Sequence, residues 1–309
     1  MNPIRLLGLL SLIAVCACRL TAEDSNTPPT ELPDGLIQRI ESAQAAILSS
    51  RYEDALTALD GGLSRPDDAL LFARAARHIG RYDDGLAALN PFINDPLGVQ
   101  PTPGVPGRIG QDILCEYGEL LMKKGALASA ASLFDVAWRT TKHARARQFR
   151  HRIAQLRGEA DLEKAIIDEF YDLYDETPVD TDEPMIFAYT ARVIEDESPA
   201  DESPANALNE GYATAQKLLE RRKIFEPEAY LWAGDLLLKY YAYGQVAQEY
   251  KVVLEQAPGH PDAIIGSAAL YLARGDFQKA KDRIDAALKI NPVHETASKI
   301  GRASCRERV

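Results

Sequence analysis

From Leu36 to Ala297 the apolar residues of this chain return every three or four positions, the spacing that gathers them on one face of an α-helix. No stretch alternates with the period of two that a strand needs, so an all-α fold is expected. The helical runs are cut by short turns at regular intervals: Ser50-Arg51-Tyr52, Gly80-Arg81-Tyr82, Gly125-Ala126-Leu127 and Arg274-Gly275-Asp276-Phe277. Each cut predicts two antiparallel helices joined by a tight turn.

The clearest pair runs from Pro261 to Pro292. Ala268 and Tyr271 lie on its first helix; Ala280, Ile284 and Ala287-Leu288 lie on its second, and Asn291-Pro292 ends it. Small residues such as Ala268, Ala280 and Ala287 let the two helices approach closely, while Tyr271, Phe277 and Leu288 fill the space between neighbouring pairs. Gly275 suits the left-handed turn, and Pro292 blocks further helix. One period of 34 residues earlier, Pro258 closes a unit with Tyr230, Gly234, Leu237, Tyr250 and Leu254 at matching offsets. A third unit near Gln111 holds Leu114, Gly118, Leu121, Ala130, Phe134 and Ala137. These residues resemble the tetratricopeptide repeat. The resemblance implies a right-handed α-solenoid of about seven pairs, whose first helices line a concave face that binds a protein or peptide.

Four further pairs are expected from continuity. Two shorter ones occupy residues 36–95, with Ala55, Leu59, Gly85 and Leu89 following the first two turns. One spans Ala144 to Thr177, with Phe149, Ile153, Leu156, Ile166, Phe170 and Leu173 as its apolar stripe; another spans Met185 to Phe225. The Pro- and Gly-rich segment 96–107 separates the first two pairs from the rest, which fill residues 108–299 and begin one more helix. Within the fifth pair, Asp196-Glu197-Ser198-Pro199-Ala200 repeats as Asp201-Glu202-Ser203-Pro204-Ala205, an insertion expected to be exposed.

The ends of the chain depart from this pattern. Arg5 followed by the apolar run Leu6 to Val15 predicts a secretory signal over residues 1–22, too short to span a bilayer, with a flexible tether over 23–35. Val15-Cys16-Ala17-Cys18 resembles a bacterial lipobox, which implies lipidation of Cys18; cleavage near Ala17 or Ala22, giving a periplasmic or secreted product, is the other reading. Either way the chain is expected to be exported, as an outer-membrane lipoprotein facing the periplasm or a free protein, and any membrane attachment runs through Cys18. Residues Ile300 to Val309 resemble a translated sequencing adapter, so the natural chain is expected to continue past Lys299.

Charge narrows the partners. The formal net charge is −11, and the last ten residues contribute +2 through Arg302, Arg306 and Arg308 against Glu307. An acidic chain is a poor nucleic-acid binder. Cys115 is the one cysteine of the helical body, which excludes a disulfide framework or cysteine-based metal site there; it reads as a small buried hydrophobe. No phosphate loop, nucleophile elbow or dinucleotide fingerprint occurs, and His294-Glu295-Thr296-Ala297-Ser298 lacks the second histidine of a zinc-peptidase helix. No cofactor, metal or catalytic residue is expected, and His294 reads as a polar residue at a helix start. The acids from Asp168 to Glu183 lack the alternating oxygens and central glycine of a calcium loop.

Candidate contact residues follow from the repeat register. Arg74, Arg77, Glu119, Lys123, Asp235 and Lys239 should fall on first helices and face the groove. The acid-free stretch from Arg139 to Arg157 places Arg147, Arg150 and Arg157 on one shoulder of a helix, to dock an acidic partner segment or anionic lipid headgroups, or to pair with the acidic helices that follow. The leading expectation is a non-catalytic protein-binding scaffold. Two alternatives stand beside it. Ile167 to Tyr174 and Tyr230 to Tyr240 resemble exported proteins in which repeats precede a metallopeptidase-like domain, which would lie beyond residue 299; the third reading is an outer-membrane assembly or export lipoprotein.

Overall fold

A computed structural model describes residues 34–59, 63–93, 107–176, 227–239 and 241–306. Every regular element among them is helical, in thirteen α-helices and one short 3-10 turn. The helices are α1 (Asp34–Leu48), α2 (Tyr52–Leu59), α3 (Pro66–His78), α4 (Tyr82–Leu89), α5 (Gly107–Lys123), α6 (Leu127–Thr141), α7 (Ala144–Arg157), α8 (Ala160–Glu176), α9 (Pro227–Lys239), α10 (Tyr243–Gln256), α11 (Pro261–Ala273), α12 (Phe277–Ile290) and α13 (Glu295–Arg306). They form six antiparallel pairs and the start of another. The signal, Cys18, the tether's first residues, most of the 96–107 segment, the whole fifth pair with its tandem insertion, and the last three residues lie outside the described residues.

Each pair is closed by one residue with positive φ: Ser50, Gly80, Gly125, Gly158, Tyr241 and Gly275. The left-handed residue reverses the chain and lets the amide that follows bond back to the first helix, as Asp276 N does to Tyr271 O at 2.9 Å and Arg51 N to Ala46 O at 2.8 Å. Glycine takes this conformation without strain; Ser50 and Tyr241 hold it despite a Cβ.

Packing is local in sequence. Each helix of a pair lies on its partner, and the first helices of successive pairs also touch, α1 with α3, α3 with α5, α5 with α7, α9 with α11 and α11 with α13. The cores follow this order, from Ala43, Leu56 and Leu59 at one end, through Leu89, Ile113 and Leu120, then Phe134, Ala137 and Ile153, to Val246, Tyr250 and Val253, and last Ile265, Ala268 and Ile284. This is the α-solenoid that the repeat pattern predicts. Leu156 departs from expectation: it is 63% exposed rather than part of the apolar stripe, because it sits two residues before the left-handed Gly158, where α7 is already ending. Phe277, at the start of α12, is 45% exposed as well.

The first two pairs meet the last described one. Asn291 Nδ2 donates to the Tyr82 hydroxyl at 3.4 Å across 209 residues of sequence, Ile290 packs against the core of the first pair, and the His78 ring stands edge-on to His260. This contact brings α3, α5 and α7 opposite α9, α11 and α13.

Candidate functional site

Between those two walls lies a cavity of about 230 Å³. Its lining comes entirely from first helices. The wall of α3, α5 and α7 presents Arg77, Lys123, Arg145 and Arg152 with Glu119 among them, beside apolar Met122 and Phe149; the other presents Asp235 and Asp262 beside Leu231 and Ile265, with Thr296 and Ile300 at the α13 end. Small residues on α11, Gly266 and Ala269, leave the space open.

Behind the cationic wall, α3, α5 and α7 are joined by a buried ion cluster. Arg77 Nε donates to Glu116 at 2.5 Å and Arg145 to Glu119 at 2.5 Å, with Arg77 to Glu119 at 3.5 Å, Arg145 to Glu116 at 3.6 Å and Arg74 to Glu116 at 3.7 Å. The spacing explains it: Arg74 and Arg77 lie three apart on α3, and Glu116 and Glu119 lie three apart on α5, so each pair shares a face. Burial pushes both carboxyls up. For Glu116 that is outweighed by Arg77, Arg145 and Arg74, which hold it below the usual carboxylate range. For Glu119 burial prevails over Arg145 and Arg77, with Glu116 adding to the rise. Cys115 is buried beside this cluster; burial and then Glu119 push its thiol well above the ordinary value, which suits the inert role expected of it.

Two histidines repeat one device on opposite walls. His143, preceding α7, accepts from Ala146 N through Nδ1 at 3.3 Å and meets Asp112 on α5 through Nε2 at 3.0 Å. His294, preceding α13, accepts from Ala297 N at 3.3 Å and meets Asp262 on α11 at 3.0 Å. Each caps a first helix and ties it to the first helix of the preceding pair. His294 is thus a structural residue at a helix start, as expected from the missing second histidine.

Of the candidate contact residues, Arg77, Glu119, Lys123 and Asp235 line the cavity, and Arg74 lies at the edge of the ion cluster. Asp235 also accepts from the Tyr250 hydroxyl at 2.8 Å. The Lys239 side chain lies outside the described part. Arg147, Arg150 and Arg157 are placed elsewhere. Arg147 bonds Glu169 at 2.5 Å and Asp135 at 3.4 Å, Arg150 bonds Asp135 and Glu159, and Arg157 bonds Glu159. The face of α7 that lines the cavity is the other one, Arg145, Gln148, Phe149 and Arg152. The acid-free stretch therefore divides: Arg147, Arg150 and Arg157 pair with acids away from the groove, while Arg152 and Arg145, the latter also paired with Glu119, line it. Glu116, Arg145, Arg152 and Asp262 were not among the candidates, although Glu116 follows from Glu119 by the three-residue step.

Among the described residues, no three His, Cys, Asp or Glu side chains gather to hold a metal ion, and no helix is long and apolar enough to cross a membrane.

Residues 237–300 match the family model described as tetratricopeptide repeat. A protein named CTR9 homolog from Arabidopsis thaliana is 30% identical over 86 residues; the match covers 28% of this chain and 8% of that protein's length. Among solved structures, the Rap conjugation gene regulator of plasmid pLS20, in complex with the Phr* peptide, is 12% identical, with 91% of this chain and 81% of the regulator covered at a TM-score of 0.53. A thermophilic tetratricopeptide protein of Thermus thermophilus, TTC0263, is 16% identical, with 63% and 98% covered at 0.49. The first of these structures shares the fold of this chain.

Proposed function

We propose that this chain, whose residues 237–300 are tetratricopeptide repeats and whose other pairs continue the same solenoid, is a non-catalytic scaffold that holds a peptide segment between its two walls of first helices. The observation that carries the reading is the cavity itself: its lining residues all come from first helices, with apolar side chains on both walls, a mainly basic wall and an acidic one opposite. Such a groove suits a segment that buries an apolar side chain and offers an acidic group to one side and a basic group to the other. The Rap regulator, a relative in fold alone, is seen with a peptide, which supports the kind of partner without naming it.

The test is a peptide library selected against the full chain, followed by calorimetry. Arg152 is exposed and Lys123 half-exposed, so charge reversal at either spares the core. Lys123→Glu and Arg152→Glu are each expected to weaken a selected peptide at least about tenfold with helicity unchanged. Selected peptides that bind both variants as well as the natural chain place binding on another surface.

Export belongs to the same reading, with residues 1–22 as the signal. Intact-mass measurement of the chain produced in a bacterial host is expected to show either a lipid on Cys18 or cleavage near Ala17 or Ala22; a mature chain that begins at Met1 removes export.

A further inference from the structure

The closure of the solenoid rests on a narrow seam between the turns of the first two pairs and the connections that flank the last. Ser50 lies against Gly259, where an added Cβ would stand 3.0 Å from the serine side chain; Gly80 lies against Asn291 and Val293, where one would stand 2.5 Å from Asn291 Oδ1. At the centre, His78 is stacked on Tyr52 with ring centroids 4.6 Å apart and faces His260 edge-on at 5.0 Å. Both histidines are buried, 8% and 4% exposed. Beside these ring and apolar contacts, the seam carries the hydrogen bond from Asn291 to Tyr82.

We propose that this seam is an acid-sensitive latch: protonation of His78, where it faces His260, parts the first two pairs from the last described one and opens the cavity between the walls. The groups around His78 decide the direction. Its own helix contributes Arg77, α7 contributes Arg145, α2 contributes the Tyr52 ring, and the α11 end contributes His260 and Asp262. Of these, Asp262 favours a charged imidazole. Burial first, then Arg77, His260 and Arg145, outweigh it and hold His78 well below the ordinary 6.5. In the parted state, exposed to water and away from His260, the ring rises toward the ordinary value, with Arg77 still beside it, and takes up the proton first. The closed state is therefore fully favoured above about pH 6.5 and loses ground as the pH falls below it. For one histidine the closed-to-open ratio falls by up to about 30-fold on reaching pH ~5. The latch stands whether or not the groove binds a peptide.

Small-angle scattering of the full chain, with far-UV circular dichroism on the same samples, tests it. Between about pH 7.5 and 5 the radius of gyration is expected to rise with helicity retained. His78→Phe keeps the stack on Tyr52 and removes the titration, so its radius should stay flat; His78→Gln, a neutral polar replacement, serves the same purpose should the first variant lose helicity. Asn291→Ala deletes the seam's hydrogen bond to Tyr82 and should shift the opening to higher pH. A flat radius in both the natural chain and Asn291→Ala overturns the latch, as does expansion of a helical His78 variant equal to that of the natural chain.

Discussion

Replacing Glu116 with alanine is expected to cost about 3–5 kcal/mol of stability, because it removes one partner from a buried ion cluster and leaves charge behind. Glu116 is 1% exposed and stands within 3.7 Å of three arginines, with Arg77 at 2.5 Å. Without it, Arg77 and Arg145 share Glu119, and Arg77 is nearly as buried as the glutamates. The penalty is that of an uncompensated buried cation rather than the net worth of the pairs, which is small when both partners are replaced together. Glu116→Gln keeps the shape and one acceptor and should cost less. Arg81→Ala, whose partners Asp84 and Glu53 are exposed, should change little. Urea unfolding followed by circular dichroism measures all three. Because a solenoid is a chain of neighbour contacts, the loss should appear as an early partial transition around α3, α5 and α7 rather than a uniform shift. A cost under about 1 kcal/mol for the alanine variant means the cluster is hydrated and the burial argument is wrong.

Much of this architecture could be read in advance, and for a physical reason. A solenoid is held by contacts between residues about one period apart, so periodicity alone locates its pairs, its tight glycines and the helices that line its inner face. Gly275, Gly234 with Tyr250, and the groove positions Arg77, Glu119, Lys123 and Asp235 were legible in this way. What periodicity does not encode is anything that joins distant periods. The contact of Asn291 with Tyr82, and the meeting of His78 with His260, depend on accumulated curvature over the whole array, to which each pair adds only a small rotation. Local exceptions were hidden for a different reason. Tyr241 occupies the left-handed position without being glycine, so the turn there carries no composition signal, whereas the turn at Ser50, also not a glycine, was legible from its register. Glu116 and Arg145 looked like ordinary surface charges of their helices. Glu116 is buried against Arg77, and Arg145, partly buried, closes on Glu119, pairings between helices that no single helix reveals.

Gly234→Val is expected to destabilise the chain by about 1–3 kcal/mol or more, against the sign that helix propensity alone gives for replacing a helical glycine. Tyr250 is 1% exposed and wedged between two glycines of successive first helices. A Cβ on Gly234 would stand 2.5 Å from Tyr250 Cε1, and one on Gly266 would stand 2.5 Å from its Cζ. The ring has nowhere to turn, since its hydroxyl is fixed on Asp235 at 2.8 Å. Gly118 meets Phe134 in the same way in an earlier unit, with Cε1 at 2.6 Å, so the arrangement belongs to the repeat rather than to one site. Two controls separate overpacking from backbone effects. Gly244 on α10 has open space where its Cβ would go, so Gly244→Ala should stabilise by up to about 1 kcal/mol. In a Tyr250→Ala background the obstruction at Gly234 is gone, and Gly234→Ala should change from destabilising to neutral or stabilising. Chemical denaturation of the four combinations gives the coupling directly. If Gly234→Ala has the same effect in both backgrounds, the glycine is there for its backbone and the ring does not set the spacing of the helices.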